Sequence, residues 1–253
     1  MQFRLIEQQT YNASMNMAID EAIYESVASN KQLPTIRFYK WKNNSISLGA
    51  FQNQNEINLN ECRKNNVEVV RRTTGGRAVY HDKVDFTYSV VAPIKIFNDS
   101  VSAAYMEICL WIITSLKDLG IKAKLENKND IIVDGRKISG NAAKLMEKGV
   151  YLQHGTLVYD IDFDIMPKVL NISKELAEEK IASVLEFKKI NPNKVYNSLK
   201  NNFSKNKKIE IETLSNEELK RAEELSKTKY DSVEVSSDVL LKNKGACYVL
   251  GGN

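Results

Sequence analysis

Three segments of this 253-residue chain gather residue types that could do chemistry on an anion. The first is Arg71-Arg72-Thr73-Thr74-Gly75-Gly76-Arg77-Ala78-Val79-Tyr80-His81-Asp82. Two arginines lead into a hydroxyl-hydroxyl-glycine-glycine turn, and an alternating segment follows. Paired glycines let a ligand approach the backbone where a Cβ would obstruct it. Arginines on both sides offer forked hydrogen bonds to a carboxylate or a phosphate. The spacing predicts an anion-binding turn between two strands, suited to an activated acyl group or a nucleotide. Arg71 and Arg72 are neighbours on a strand, so they face opposite sides and should differ in role. The plainer alternative is a strand turn with surface arginines.

The second segment runs from Asn129-Asp130 through Arg136-Lys137-Ile138-Ser139-Gly140-Asn141-Ala142. Small residues after Lys137 read as a strand-to-helix junction, where the lysine would reach a cleft walled by nearly bare backbone. There it would set a point charge on a carboxylate and an α-phosphate. The competing reading is an exposed hairpin lysine. Asp130 is a single carboxylate that would hold magnesium only alongside phosphate oxygens. The third segment is Leu152-Gln153-His154-Gly155-Thr156-Leu157. His154 and His81 are the chain's 2 histidines. Each could orient an acyl group or serve as a hydrogen-bonded structural residue, and two isolated histidines make no zinc site.

These residues need a scaffold. Met1 to Glu7 reads as a strand, and Asn12 or Ser14 caps a helix through Met15, Ala18, Ile19, Ala22 and Ile23. Thr35 to Trp41 and Ser45 to Phe51 alternate about an Asn43-Asn44 turn, which predicts that the second strand returns beside the first. A short helix over Ile57 to Asn65 precedes a strand, Val67 to Arg71, that enters the glycine turn; Asp85 to Ala92 leaves it. Val101 to Leu119 is an apolar-faced helix ended by Gly120. Ala123 to Leu125, Asp130 to Val133 and Gly155 to Tyr159 read as strands, with Asp134-Gly135 a hairpin turn. Later helices are expected at Glu175–Leu185, Asn193–Phe203 and Asn216–Thr228. Strands with irregularly inserted helices predict an α+β fold around a mixed sheet. One domain is expected over residues 1–235, with 236–253 a tail or an added strand.

Composition narrows the function. Hydrophobic residues at 43% and charged residues at 27% suit a soluble globular protein. The formal charge of +4 is mild, and no arginine stripe or zinc-finger spacing argues for nucleic acid. No run reaches membrane-spanning length, and no signal-peptide core opens the chain. Cys62, Cys109 and Cys247 form neither a metal pair nor a disulfide framework, which points to a reducing, cytoplasmic setting.

Taken together in order, the three segments resemble the lipoate–protein ligase and octanoyltransferase superfamily, as do Asn16 to Ala22 and Gly49-Ala50-Phe51-Gln52. The resemblance runs from Phe3 to Ser232. It implies a mixed-sheet domain similar to biotin protein ligases and class II aminoacyl-tRNA synthetases. It also implies binding of ATP, magnesium and lipoate or octanoate, an acyl-adenylate, and transfer to a lysine of a lipoyl domain or a glycine-cleavage H protein. Carried over by position, Arg72, Gly75, Gly76, Arg77, Ala78, Val79, Tyr80 and His81 fall on the nucleotide or adenylate wall. Asp130, Ser139, Gly140, Ala142 and His154 join them, and Lys137 falls on the catalytic lysine.

Two departures qualify that assignment. Arg77 stands where ligases carry a third glycine, and Gly-Gly-Arg with Leu152-Gln153-His154-Gly155 is closer to the cysteine-dependent octanoyltransferases. Those take the acyl group from an acyl carrier protein without ATP, using a cysteine placed shortly before the lysine. Leu125 to Asp130 contains none, so an ATP-dependent ligase is expected. The octanoyltransferase is the alternative and a non-catalytic acyl-binding homologue a third. No accessory carboxy-terminal domain is expected, which implies a separate small accessory protein or a self-sufficient short ligase.

Overall fold

The computed structural model describes residues 1–126 and 130–231. Strand β1 (Gln2–Tyr11) leads to helix α1 (Ala13–Ala28), which Asn12 caps by accepting from the Met15 amide. Next come β2 (Thr35–Trp41) and β3 (Ser45–Leu48), then α2 (Leu59–Lys64), β4 (Glu68–Arg71), β5 (Val79–His81) and β6 (Phe86–Pro93). Helix α3 (Val101–Asp118) precedes β7 (Lys124–Glu126), β8 (Asp130–Val133), β9 (Arg136–Leu145) and β10 (Val150–Leu157). The last part holds three short helices, α4 (Met166–Leu170), α5 (Lys174–Lys180) and α6 (Val184–Phe187). It ends with α7 (Pro192–Ser204), β11 (Lys208–Ile211) and α8 (Asn216–Thr228).

The fold is a mixed α+β fold. An eight-stranded sheet runs β11-β1-β2-β6-β10-β9-β8-β7, and a three-stranded sheet runs β4-β3-β5. Parallel pairs β11–β1–β2 meet antiparallel pairs β2–β6–β10–β9–β8–β7. Alternation along the strands sends Leu5, Phe38, Val90, Tyr151 and Ile138 into a core with α3 and α7. It sends Ile6, Tyr39, Trp41, Val91 and Leu152 into a second core with α1 and α8. Helix α8 is joined to β1 by a buried ion pair, Arg4 Nη2 to Glu218 Oε1 at 2.6 Å. Glu218 also closes the capping box with Ser215 at the start of α8.

Several expectations change. β2 and β3 do not form a hairpin: β1 and β6 occupy both edges of β2, so β3 continues into the small sheet. β4 and β5 do not pair with each other either, because both flank β3, and the glycine turn therefore crosses over the end of that strand. Ser139 to Ala142 is no strand-to-helix junction. It lies inside β9, which pairs with β8 on one side and β10 on the other. The helix expected over Glu175–Leu185 breaks after Lys180, because Ile181 bridges to Lys137 and the Ala182 amide donates to the Lys137 carbonyl. Strand β11 was not foreseen. The Asp134-Gly135 turn is as expected, both residues having positive φ (49° and 80°). Asn129 and the tail 236–253 lie outside the described residues.

Candidate active site

The glycine turn is built from the inside. Arg72 is buried, and its Nη2 donates to the carbonyls of Gly75 (2.7 Å) and Arg77 (2.9 Å). Its Nη1 donates to the Ser47 carbonyl at 2.6 Å, joining the turn to β3. Arg71 holds a different loop, donating from Nη1 to the carbonyls of Gly49 (2.8 Å) and Gln52 (2.6 Å). The two arginines thus take separate partners, and both use them to shape backbone. Gly49 must lack a side chain, since a Cβ there would lie 1.8 Å from the Gly76 carbonyl oxygen.

What remains for a ligand is the outside of the turn. Gly76 and Arg77 are exposed, and Gly75 and Ala78 are half-buried. Among the described residues, no hydrogen-bond acceptor takes the amides of Gly75, Gly76, Arg77 or Ala78. Successive free amides beside an unengaged Arg77 side chain make a concavity suited to an anion. Val79 continues into β5, while Tyr80 turns toward the small core and its hydroxyl accepts from Asn44 at 2.7 Å.

Opposite the turn lies the sheet face covered by α1. Register places Tyr39, Thr87, Thr156, Gly140 and Asp130 in one row across β2, β6, β10, β9 and β8. The next row holds Arg37, Ser89, His154 and Ala142. Lys137 lies back over the first row: a Cβ on Gly140 would come within 2.8 Å of its Cε and 3.0 Å of its Nζ. Its ammonium sits 2.6 Å from Asp130 Oδ1, and the side chain is 38% exposed. The contact lacks hydrogen-bond alignment, so that carboxylate oxygen stays without a donor in the described structure. Among the described residues no three groups of metal-binding type gather, so Asp130 would hold magnesium only with oxygens brought by a ligand. Ser139 faces the other way, toward the α3 core with Leu157 and Ile131, and its buried hydroxyl has no partner among the described residues.

Both histidines are buried beneath the turn. His81 stacks on Trp41 (4.1 Å between centroids) and bonds Ser47 Oγ at 2.8 Å and Thr156 Oγ1 at 3.0 Å. Burial, reinforced by the charge of Arg72, holds its pKa well below the usual imidazole range, so it is neutral. His154 lies between Thr74 Oγ1 (2.6 Å) and Asp20 Oδ2 (3.3 Å). Burial works to raise the Asp20 pKa. The hydrogen bond from His154 and the charge of Arg37 outweigh it and leave the carboxyl below its ordinary value.

The motif reading missed Asp20, Arg37, Thr74, Ser47 and Thr156. One signal was available: Asn16 and Asp20 stand one helical turn apart inside the apolar stripe of α1, where a buried polar side chain needs a partner. The thiols are placed elsewhere. Cys109 is in the α3 core, on the far face of the sheet from Lys137, and burial pushes it up to about 12. Cys62 is in the small core, pushed up to about 11.

Comparisons with known proteins place the chain in a family. Residues 12–213 match the family described as the lipoyl protein ligase A/B catalytic domain. An octanoyltransferase LipM of Brevibacillus brevis is 32% identical, the match covering 92% of this chain and 98% of that protein. A lipoate-protein ligase A solved with ATP superposes with a TM-score of 0.81 at 30% identity, covering 92% and 97% of the two chains. The bi-partite lipoate protein ligase of Thermoplasma acidophilum, solved in a study with its E2 lipoyl domain, gives 0.81 at 30% identity over 92% and 95%. No helix among the described residues is long and apolar enough to cross a membrane. The chain belongs to the lipoyl protein ligase A/B catalytic-domain family, whose members include both ligases and octanoyltransferases.

Proposed function

We propose that this chain activates octanoate or lipoate with ATP as an acyl-adenylate and transfers the acyl group to a lysine of a lipoyl-acceptor protein. The observation that carries the choice of donor is the placement of the thiols. An acyl-enzyme route needs a thiolate beside the lysine. Cys109 is on the opposite face of the sheet, Cys62 is sealed in the small core, and burial holds both protonated. Cys247 lies outside the described residues. An anhydride with phosphate needs no enzyme nucleophile.

The residues present fit such a ligand. Lys137 would sit between the substrate carboxylate and the α-phosphate, and the Gly75 to Ala78 amides with Arg77 would face the phosphate oxygens. Bound ATP supplies an electrophilic phosphorus and a leaving pyrophosphate; the chain supplies fixed positive charge where the two anions meet. Asp130 holds the ammonium over Gly140 until substrate arrives. Ser139, turned to the other core, supports the strand from behind. The nucleotide-facing roles of Arg72, Val79, Tyr80, His81 and Ala142 belong to this same proposal. For Arg72 and His81 the role is to hold the wall.

A second reading has its own support. Curated relatives spanning nearly the whole chain are named octanoyltransferases, and the resemblance drawn from the sequence puts Gly75-Gly76-Arg77 closer to that group. In that reading octanoate comes from a carrier-protein thioester without ATP, and the turn amides stabilise an oxyanion. The curated relatives favour this second reading: one transferase reaches 36% identity over 71% of the chain, against 30% over 92% for the ligase solved with ATP.

The deciding assay offers an apo lipoyl domain either octanoate or lipoate with magnesium and ATP, or octanoyl carrier protein alone. Modification from the free acids with ATP is the expected result, and modification from the thioester alone would overturn it. The same assay tests the accessory subunit that a bi-partite neighbour suggests. If the chain forms adenylate but transfers poorly until a second small protein is added, that partner is required.

A further inference from the structure

The hydrogen bonds around Asp20 have a direction that the turn and the lysine do not by themselves explain. Arg37 has only protons to offer. It donates from Nη1 to Asp20 Oδ1 at 2.8 Å and from Nη2 to Asn16 Oδ1 at 2.7 Å. Ser89 Oγ donates to the same Asp20 oxygen at 2.8 Å. The other oxygen, Oδ2, faces His154 Nδ1 and the Tyr39 hydroxyl, each at 3.3 Å. A carboxylate only accepts, so His154 carries a proton on Nδ1, and as a neutral imidazole it then presents Nε2 as an acceptor. The Thr74 hydroxyl, 2.6 Å away, then donates to Nε2 and receives Arg72 Nε–H at 3.2 Å. Arg72 in turn grips the carbonyls of Gly75 and Arg77. Every side chain in this run is at least nine-tenths buried, from Thr74 at 0% exposure to His154 at 6%.

We propose that Asp20 is a positioning residue for the anion-binding turn: by fixing the tautomer of His154 it orients Thr74, and through Thr74 and Arg72 it sets the pose of the Gly75 to Arg77 backbone. Helix α1 thereby governs a loop that it does not adjoin in sequence. The inference rests on the turn being the anion site and holds for either acyl donor.

The chain's 2 histidines make the test direct, because ¹⁵N-histidine labelling yields only two imidazoles to assign. The wild-type protein, without substrate, should show His154 protonated at Nδ1 and bare at Nε2. In Asp20→Asn, Arg37 keeps the amide oxygen and turns the NH₂ toward His154, which must then move its proton to Nε2. Thr74 loses its acceptor, and exchange of the Ala50 amide, which donates to the Thr74 carbonyl at 2.9 Å, should quicken roughly tenfold or more, the usual size for a lost buried hydrogen bond.

The Asp20→Asn substitution also leaves Arg37 short of a counter-charge. A second pair avoids that problem: Thr74→Val should speed exchange of the Ala50 amide, and Thr74→Ser should restore it. In turnover, both Asp20→Asn and Thr74→Val should raise KM for the acyl substrate more than they lower kcat. A wild-type His154 protonated on Nε2 would overturn the proposal. So would an Ala50 amide whose exchange in Thr74→Val equals that in Thr74→Ser. Neither readout needs ATP, so failure of the ligase assay would leave them standing.

Discussion

The two faces of the eight-stranded sheet are made by the same strands and do opposite things. Toward α3 the strands present Phe38, Phe86, Val90, Ile131 and Leu157, with α3 adding Ile108, Ile112 and Leu116. Toward α1, beyond a smaller patch of hydrocarbon, they present Arg37, Ser89, His154, Thr87, Thr156 and Gly140 in two rows. A polar group buried on that second face is costly unless paired: Thr87 and Thr156 pair within their row, Arg37 and Ser89 pair with α1, and His154 bridges α1 to the glycine turn. Successive residues of one strand therefore serve different ends. One set removes hydrocarbon from water; the other fixes donors and acceptors in place. Stability and chemistry should accordingly be separable by single substitutions.

The largest test of that separation is Lys137→Ala. Acyl transfer should fall by about a hundredfold or more, the usual loss for one preorganised charge, while the melting temperature barely moves. A variant that adenylates at near-normal rate would remove Lys137 from the site. On the other face, Ile108→Ala should cost about 2–5 kcal/mol of stability in a denaturant titration and leave kcat per folded molecule intact. If Ile108→Ala instead damages kcat at full folding, the faces are coupled and the comparison fails.

A smaller effect separates them by pH. The folded pKa of His81 lies below its unfolded value near 6.5, so the unfolded chain takes up protons first on acidification. The stability it contributes is full above that pH and is lost as pH falls below it. The urea midpoint should decline on going from about pH 7 to pH 5, and His81→Gln should flatten the slope. The smallest effect is expected from Cys109→Ala. Its thiol is protonated and on the hydrocarbon face, so turnover should stay within about twofold. A loss as large as that of Lys137→Ala would make Cys109 a nucleophile and return the enzyme to the cysteine-dependent route.

Local signals in the chain foretold the parts that depend on local rules. Asn12 as a cap, Gly120 as a helix end and Asp134-Gly135 as a hairpin all work through neighbouring residues, and all three are found in the structure. The glycine turn and Lys137 stand out because their residue types are rare in that combination. What escaped depends on pairing at long range. Nothing near Asn43-Asn44 says that β2 is already flanked on both edges, so a hairpin was the natural inference. Ser139 to Ala142 reads as a strand-to-helix junction until β8 and β10 are laid beside it. Asp20 acquires a partner in His154 only when α1 is set upon the sheet, 134 positions away in sequence.

The hairpin that carries the lysine has one more consequence. β8 and β9 are joined by a two-residue turn, and their register slips once, between Ile131 and Ile132. That slip, together with the turn length, decides which side of the sheet Lys137 meets. Adding or deleting a single residue between Val133 and Lys137 would deliver the ammonium to the hydrocarbon side, where no carboxylate like Asp130 is paired with it. The enzyme's charge is thus set by counting as much as by chemistry. This loop, though it sits at an exposed tip, should tolerate changes of residue far better than changes of length.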